Sequence, residues 1–408
     1  MNQPKNKSRR QFLKNGTAGI AGIALLPSVL GSRGLADGEN PRPGPPVTRT
    51  LGKTGIRLPV VSMGVMNADN PKLVEAALDA GILHLDTAWI YQRGRNEEMI
   101  GQVIKGRTRD SFVVATKVYM PKDRKTGLFL KEPEDTPFLE KFETSLKRLG
   151  LDHVDILYLH NVPRVENVTY EPYLSDLLTL KKQGRAKFIG VTTHQNEPQV
   201  IRATVAAGVY DVILTAYNFR QPHRDEVKKA IGEAARAGLG VVAMKTQAGV
   251  YWDEERQHPI NMKAALKWVL QDENVHTAIP GFTTFDQMEE DLSVMADLRL
   301  TPQEENELKQ KHAASLAGLY CAQCRSCLSQ CSADMDIPSL MRSYMYAHGY
   351  RNRFQAKQTL TQAIDPRNTR LPCLDCSRCA VRCTMGFDVR KRLIDIHRIG
   401  TVPEEFLA

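Results

Sequence analysis

The first 320 residues of this 408-residue chain contain no cysteine, and residues 1–36 contain no acidic side chain. Disulfides and thiolate metal sites are therefore excluded from most of the chain. No apolar run reaches the roughly 20 residues that a membrane-spanning helix requires. No basic stripe interleaved with aromatic residues predicts nucleic-acid binding. The net charge of +9 does not change this, because six Lys or Arg lie in residues 1–36, and subtracting these six leaves +3.

The N-terminal segment predicts an export signal. A basic stretch, KNKSRRQFLK, precedes a Gly/Ala-rich apolar run and a small-residue site near Gly34–Ala36. This order is typical of a targeting peptide, and SRRQFLK at 8–14 resembles the signal read by the twin-arginine export machinery. A mitochondrial transit peptide and a retained anchor remain alternatives. We expect a signal peptide over residues 1–36, a Pro/Gly-rich linker over 37–47 and a periplasmic or other extracytoplasmic location.

Apolar, β-branched runs alternate with amphipathic stretches from residue 59 onwards. This alternation predicts βαβ units and a parallel sheet, and eight units match the count of a (β/α)8 barrel. The alternative is an open doubly wound sheet, but Pro59–Asn70 lacks the Gly-rich fingerprint expected there. The fold class is therefore α/β, with the barrel over 48–317 and a small, mainly helical domain over 318–408. The predicted strands are PVVSMG, ILHLDTA, SFVVATKV, VDILYLH, AKFIGVTTH, DVILTAYN, GVVAMK and HTAIPGF.

Polar side chains stand where such a barrel places its chemistry, at the carboxyl ends of strands. Asp86 ends the second predicted strand and Tyr91 follows it, Lys117 lies near the end of the third, and His160 closes the fourth. Tyr91 is a candidate proton donor to a carbonyl oxygen, and an ammonium at Lys117 would lower its pKa. Asp86 would pair with that buried lysine, and His160 would orient the carbonyl. Each of these residues alone also has a structural interpretation, but their joint placement predicts an active site.

Four segments in this order resemble the signature segments of the aldo-keto reductases: LDTAWIYQRGRNEEMIG, VVATKV, DILYLH and IPGFTTFDQMEEDL. RTLGKTGIRLPVVSMG also resembles their N-terminal hairpin and first strand. The resemblance covers residues 48–317. It implies a nicotinamide cofactor, an aldehyde, ketone, alcohol or sugar substrate, and the roles given above for the four polar residues.

The resemblance also implies where a nicotinamide nucleotide binds. Thr192 and Thr193 stand where the family holds the carboxamide, and Met244 stands where many members stack a tyrosine on the ring. Leu214 replaces a common glutamine. The segment from Gly281 to Asp291 contains no basic residue, which favours NAD(H) binding at least as well as NADP(H). The remaining expected nucleotide contacts are Lys245, Gly281, Thr283, Gln287 and Glu290.

All eight cysteines lie in two identical arrays near the C-terminus. The spacing C-x2-C-x2-C-x3-C is that of bacterial ferredoxins and predicts two [4Fe–4S] clusters. Disulfides and zinc remain alternatives. Between the arrays, DIPSLMRSYMYAHGY and FQAKQTLTQAI are predicted helices, as in the two-cluster modules of redox enzymes, which the tail resembles. The arrays are Cys321, Cys324, Cys327 and Cys331, then Cys373, Cys376, Cys379 and Cys383.

Together these features predict an exported carbonyl or alcohol oxidoreductase that uses NAD(H) or NADP(H). Its tail would exchange electrons with a redox partner protein, although clusters that only staple the tail to the barrel remain an alternative. The second hypothesis is an iron–sulfur electron-transfer or binding protein whose barrel no longer turns over nicotinamide. Leu214 and Met244 favour it, because both depart from the family's usual nicotinamide site.

Overall fold

The structure is a computed structural model. It describes residues 45–123, 126–130, 137–252, 257–309, 319, 321, 323–333, 335–364, 371–376, 378–403 and 406–407. The predicted signal peptide and most of the predicted linker lie outside these ranges. Within them, no helix is both long and apolar enough to cross a membrane.

Eight parallel strands form the centre of the fold, preceded by the antiparallel hairpin of β1 (Thr48–Thr50) and β2 (Arg57–Pro59). The parallel strands pair in chain order, and a parallel bridge between Val61 and Ala278 joins the two edges. The sheet therefore closes into a barrel, and all eight predicted strands are confirmed. The strands are β3 (Met63–Gly64), β4 (His84–Asp86), β5 (Val113–Tyr119), β6 (Val154–His160), β7 (Ala186–Thr193), β8 (Val212–Ala216), β9 (Gly240–Met244) and β10 (Thr277–Ala278).

Helices follow each strand and cover the outside of the barrel. Their amphipathic sequences pack one face against the strands and leave the charged face in solvent. In α3, for example, Phe138, Phe142 and Leu146 are buried on a single face. The helices are α1 (Pro71–Asp79), α2 (Arg95–Ile104), α3 (Phe138–Leu149), α4 (Val165–Val168), α5 (Glu171–Lys182), α6 (Glu197–Ala207), α7 (Arg224–Arg236), α8 (Met262–Leu270), α9 (Phe285–Leu292) and α10 (Pro302–Leu308).

The hairpin closes the amino-terminal end of the barrel. Leu51 and Leu58 are fully buried and join the apolar side chains that fill the barrel interior. Gly52 has a φ of 52°, and a Cβ there would clash with the backbone of Leu239 and Gly240. Glycine therefore allows the close approach that seals this end. A site for a ligand is left at the opposite end, where the strands finish.

The C-terminal segment, meaning the described residues from 319 onwards, packs on that opposite end. It contains α11 (Ile337–His348) and α12 (Arg353–Ala363), which confirm the two predicted helices, and α13 (Val389–Gly400), which was not predicted. Asn352 Nδ2 donates a hydrogen bond to Asn67 Oδ1 of the barrel at 2.8 Å. Residues 45–408 form one compact unit, and the predicted domain boundary at 317 stays a prediction.

Candidate active site

The four predicted catalytic residues meet at the carboxyl end of β4, β5 and β6. Asp86 is the last residue of β4 and His160 the last of β6. The loop after β4 runs along β5, because Trp89 N donates to Lys117 O at 3.0 Å. It thereby carries Tyr91 back over Lys117, whose ammonium lies 4.9 Å from the centre of the tyrosine ring. The rings of Tyr91 and His160 meet edge to face, with centroids 5.9 Å apart.

A buried ion pair lies beneath Tyr91. Lys117 Nζ donates to Asp86 Oδ1 and to the carbonyl oxygen of Thr87, at 2.5 Å each. Both side chains are almost fully buried. Burial lowers the pKa of Lys117 and raises the pKa of Asp86, while their mutual attraction opposes both shifts. A buried ion pair offsets its desolvation cost only when the two groups are well aligned and hydrogen-bonded. Removal of either partner would leave an uncompensated buried charge.

Tyr91 corrects one expectation. Lys117 was expected to lower the pKa of this phenol, but burial, with the carboxylate of Asp86 and the phenol of Tyr346 nearby, holds its pKa well above the ordinary value. The physical reason is that the C-terminal segment encloses the phenol, which disfavours its charged form. Tyr91 is therefore fully protonated at neutral pH, as a proton donor must be.

His160 is neutral for the same reason. Burial and the positive charges of Lys117, Lys122, Arg342 and Lys245 hold the pKa of His160 well below its usual value. Its Nδ1 is buried without a hydrogen-bond partner in the described structure. A neutral imidazole carries one N–H, so His160 can donate a hydrogen bond to a carbonyl oxygen without competing as an acid.

A cavity of about 190 Å³ opens beside these residues. It can hold a small organic molecule, because one buried water needs only about 10–15 Å³. Its walls come from the strand ends of the barrel and, unexpectedly, from α11 and α12. The barrel side includes Asp86, Tyr91, Tyr119, His160, Asn161, His194, Met244, Lys245, Gln247 and Gly281, and the C-terminal side includes Arg342, Met345, Tyr346, Tyr350, Gln355, Thr359 and Gln362.

Sequence reasoning missed most of the other lining residues, and five of these bear on the chemistry of the site: Asn161, His194, Gln247, Arg342 and Tyr346. Asn161 and His194 directly follow β6 and β7, so the rule that catalytic groups lie at strand ends could have found them. Asn161 Oδ1 and His194 Nδ1 are buried and have no hydrogen-bond partner in the described structure. Gln247 lies in the loop after β9. For Arg342 and Tyr346 the sequence carries no such signal, because they reach the cavity only through the packing of α11.

Comparison with known proteins agrees with this geometry. The model of the Aldo/keto reductase family matches residues 61–264, half of the chain. The chain belongs to the aldo/keto reductase family. The match ends before the cysteine arrays, so the family assignment concerns the barrel.

Individual relatives of this aldo-keto reductase are distant. The chain is 30% identical over 162 residues to the uncharacterized oxidoreductase YqkF of Bacillus subtilis (strain 168), and this match covers 38% of the chain and about half (51%) of that protein. It is 25% identical over 329 residues to L-glyceraldehyde 3-phosphate reductase of Escherichia coli O157:H7, covering 67% of the chain and 94% of that protein. The holo form of aldo-keto reductase AKR11C1 from Bacillus halodurans has the same fold, with 22% identity, a TM-score of 0.52, and coverage of 65% and 96%.

The expected nicotinamide contacts of this aldo-keto reductase divide into two groups. Met244 and Lys245 line the cavity. Thr192 and Thr193 do not, because their hydroxyls are engaged inside the fold: Thr192 Oγ1 accepts from Asn161 N at 2.8 Å, and Thr193 Oγ1 donates to Gln195 O at 2.8 Å. The expected contacts of Thr192 and Thr193 with the carboxamide stay a prediction, and Asn161 Oδ1 is a buried polar atom on the cavity without a hydrogen-bond partner in the described structure.

The expected adenosine end lies at the start of α9. Gly281 lines the cavity, whereas Thr283 and Gln287 are exposed and bonded to each other, with Thr283 N donating to Gln287 Oε1 at 2.8 Å. Glu290 is partly exposed, but Asp291 is buried and accepts from Gln247 Nε2 at 2.8 Å. Burial raises the pKa of Asp291 to about 8, so it is mostly neutral at pH 7. A neutral Asp291 would not repel a phosphate group of the coenzyme.

No disulfide joins any of the eight cysteines in the structure. Burial raises the pKa of Cys321 to about 11, and the neighbouring thiols of Cys383 and Cys324 add to the rise. Cys324 Sγ lies 3.3 Å from the hydroxyl of Thr384, the residue after Cys383. The fourth cysteine of the second array thus lies beside the first array.

The other four thiols form a matching set. Burial raises the pKa of Cys373 to about 11, with further contributions from Cys331, Cys376 and Cys379. Cys331 is the fourth cysteine of the first array, so the fourth cysteine of each array lies beside the first three cysteines of the other. Among the described residues, no three His, Cys, Asp or Glu side chains are arranged to hold a single metal ion.

Proposed function

We propose that this protein transfers hydride between a nicotinamide cofactor and a small carbonyl or alcohol substrate in the cavity at the barrel mouth. The observation that carries the proposal is the buried Lys117–Asp86 pair beneath Tyr91, facing a cavity with unpaired polar atoms. Such a pair is expensive to bury, and a buried charged pair that faces a cavity is a candidate functional site. L-glyceraldehyde 3-phosphate reductase, a distant relative, is by its name also a reductase of an aldehyde.

The residues fit a nicotinamide ring. Met244 offers a polarizable thioether to cover one ring face, and Asn161 Oδ1, buried without a partner, can accept from the carboxamide. When bound, the nicotinamide supplies or accepts the hydride. The chain supplies the rest: His160 orients the carbonyl oxygen, and Tyr91 donates the proton to it.

The proton transfer depends on charge beneath the ring. Tyr91 is protonated before reaction, and the ammonium of Lys117 stabilises the phenolate as the proton leaves. Asp86 and the Thr87 carbonyl hold that ammonium in place. The surrounding cover by α11 excludes water, which strengthens these electrostatic interactions.

Tyr91→Phe tests the mechanism. The variant keeps the ring and removes the proton donor, so kcat should fall at least about 100-fold, while the nucleotide Kd should change little. Tyr170→Phe is the matched control, because Tyr170 does not line the cavity. A Tyr91→Phe protein that retains most of its turnover would refute the assignment.

The alternative is a binding or electron-transfer protein with an inactive barrel. Leu214 is fully buried among apolar residues, and the hydroxyls of Thr192 and Thr193 are engaged elsewhere, which favours a weaker grip on the carboxamide. Measuring nucleotide bound to the purified holoprotein separates the two functions. Micromolar or tighter binding of NADH or NADPH supports the reductase, and no binding at millimolar nucleotide supports the alternative.

We further propose that the C-terminal segment holds two [4Fe–4S] clusters and passes electrons to a redox partner. The donor set fits, because each group contains four thiols drawn from both arrays, as in two-cluster ferredoxins. The duplicated C-x2-C-x2-C-x3-C spacing favours clusters over zinc, because structural zinc usually uses two separated C-x2-C pairs.

Double variants test the crossed ligation. If Cys324 and Cys383 bind the same cluster, Cys324→Ser alone should lose about four of the eight irons. The double variant Cys324→Ser with Cys383→Ser should lose no more than that. Cys324→Ser combined with Cys331→Ser should lose both clusters. The opposite pattern would show that each array binds its own cluster.

We also propose export by the twin-arginine route, which generally carries proteins that have already folded. The clusters could then be inserted before export. This rests on residues 1–36, which lie outside the described structure. Replacement of Arg9 and Arg10 by Lys should trap the protein in the cytoplasm on cell fractionation. Undiminished extracytoplasmic protein would contradict the proposal.

A further inference from the structure

One wall of the cavity carries a buried arginine from outside the barrel. Arg342, in α11, is only 9% exposed and lines the cavity. Its Nη2 donates to Ser339 Oγ at 3.1 Å and its Nη1 makes a long contact of 3.4 Å with Gln323 Oε1. A guanidinium has five N–H donors, so these two contacts leave donors for a ligand.

A second cation lies on the same cavity. Lys245 directly follows β9 in the left-handed region, with a φ of 56°, which turns the chain at the strand end. Its ammonium has no hydrogen-bond or ion-pair partner within the described part of the chain. Burial and the positive charge of Arg342 lower the pKa of Lys245 to about 7, which shows that the two cations share one weakly solvated space.

The nearby carboxylates do not neutralise this pair. Asp86 is the only carboxylate among the described lining residues, and it is bound to Lys117. Glu197 accepts from Gln221 Nε2 at 3.1 Å and lies 2.9 Å from His223 Nε2. Glu197 and Cys321 only partly offset the lowered pKa of Lys245. An anion bound beside Arg342 would keep Lys245 protonated, so the two side chains together suit the recognition of an anion.

Both cations line the same cavity as His160 and His194. Both lower the pKa of His160 and of His194, so their charges act on the reacting end of the cavity. Thr283 and Gln287, at the expected adenosine end, are exposed to solvent. An anion held by the pair would therefore lie beside the carbonyl group that His160 orients.

We propose that Lys245 and Arg342 bind a carboxylate or phosphate group of the substrate, so that the protein acts on anionic aldehydes or ketones. This rests on the function proposed above. Arg342 would form paired hydrogen bonds to two oxygens, and Lys245 would act as a point charge. The C-terminal segment thereby selects the substrate on which the barrel acts.

The first cysteine array positions the arginine. Gln323, between Cys321 and Cys324, contacts Arg342 and donates from Nε2 to Pro338 O at 2.9 Å, next to the start of α11. Arg325 Nη1 donates to Gln195 Oε1 of the barrel at 2.5 Å. The loop that carries the thiols is therefore tied both to Arg342 and to the strand end of the barrel.

Two measurements on the full-length holoprotein test the proposal. The first is calorimetric titration with succinate and with inorganic phosphate, without nucleotide. At least one anion should bind the wild type at least tenfold more tightly than Arg342→Gln or Lys245→Gln. Arg398→Gln, an exposed arginine of α13, is the control and should bind as the wild type does. Equal binding by the wild type and both cavity variants would overturn the proposal.

The second measurement compares succinic semialdehyde with butanal, a neutral aldehyde of the same chain length. The fall in kcat/KM in Arg342→Gln and Lys245→Gln should be about 10- to 100-fold larger for the charged aldehyde, and Arg342→Lys should restore part of it. An equal fall for both aldehydes, with weaker NADH binding, would assign the pair to the nucleotide instead. If anions bind but no aldehyde turns over, the anion site stands and the proposed reductase function fails.

Discussion

The barrel and the C-terminal segment have hydrophobic cores of different composition, because only the second contains cysteine. The barrel buries aliphatic side chains inside the ring and between the strands and helices. The core of the C-terminal segment contains Leu340, Leu393 and Ile396, but Cys373 is buried within it and other cysteines lie at its edge. A small segment buries little apolar area, and small domains often add disulfides or metal to their cores. The difference leads us to expect that the barrel keeps its fold without metal, whereas the C-terminal segment depends on what its thiols bind.

Removal of iron should separate the two regions most strongly. Chelation of the full-length protein under mild oxidation should abolish amide protection in α11, α12 and α13, because their core surrounds the thiols. Protection in β5, β6 and β7 should persist. Hydrogen exchange with mass spectrometry measures both at once. Equal amide protection of α11 before and after chelation would show that the C-terminal segment does not depend on bound metal for its fold.

Lys117→Met should damage the barrel and leave the C-terminal segment loaded. The change leaves Asp86 buried without its partner, which destabilises a fold by about 3–5 kcal/mol. Trp89, Trp252 and Trp268 all lie in the barrel, so tryptophan fluorescence during urea unfolding reports on that region alone. Lys72→Met removes an exposed pair with Glu75 and should change the unfolding free energy by less than about 1 kcal/mol. Similar values for the two variants would contradict the buried pair.

Asp291 should make the barrel sensitive to pH. Its pKa rises from 3.8 to about 8 on folding, so its contribution to stability is greatest below pH 3.8 and is lost as the pH rises towards 8. The unfolding free energy of the nucleotide-free protein should fall by on the order of 1 kcal/mol per pH unit between pH 5 and pH 8. Asp291→Asn keeps an acceptor for Gln247 and should flatten this slope. The exposed Asp286→Asn should not, and a slope unchanged by Asp291→Asn would rule out this origin.

The smallest expected effect concerns the choice of coenzyme. NADPH should bind no more than about tenfold more tightly than NADH, a difference of 1.4 kcal/mol, because residues 281–291 contain no basic side chain. Lys245 and Arg342 line the cavity together, and Lys245 is proposed above to bind the substrate anion rather than the nucleotide. Titration of both nucleotides decides the matter, and a larger preference for NADPH would show that another cation reaches the 2′-phosphate.

The barrel was predictable because its strands are short apolar, β-branched runs that alternate with amphipathic helices, and several of them carry a polar residue near their end. That pattern alone brings Asp86, Lys117 and His160 to one end of a ring. Helix α13 also carries a readable signal, since Val389, Leu393 and Ile396 follow a helical period and are buried, but its many charges obscure it.

Other features of the site depend on contacts that periodicity does not encode. Arg342 and Tyr91 are far apart in the chain, and only the docking of α11 brings them together. The same docking encloses Tyr91, which is why its pKa rises although Lys117 lies beneath it. Thr192 was placed on the correct strand, but its hydroxyl accepts from the backbone of Asn161, a local bond that the sequence does not reveal.

We propose above that a reductase barrel carries a C-terminal segment organised around two iron–sulfur clusters, which also forms one wall of the active-site cavity. The most direct test is metal and sulfide analysis of full-length protein purified without oxygen, together with its visible spectrum. The account predicts a brown protein with about eight iron and eight acid-labile sulfide per chain. Stoichiometric zinc without sulfide, or four disulfides and no metal, would contradict it.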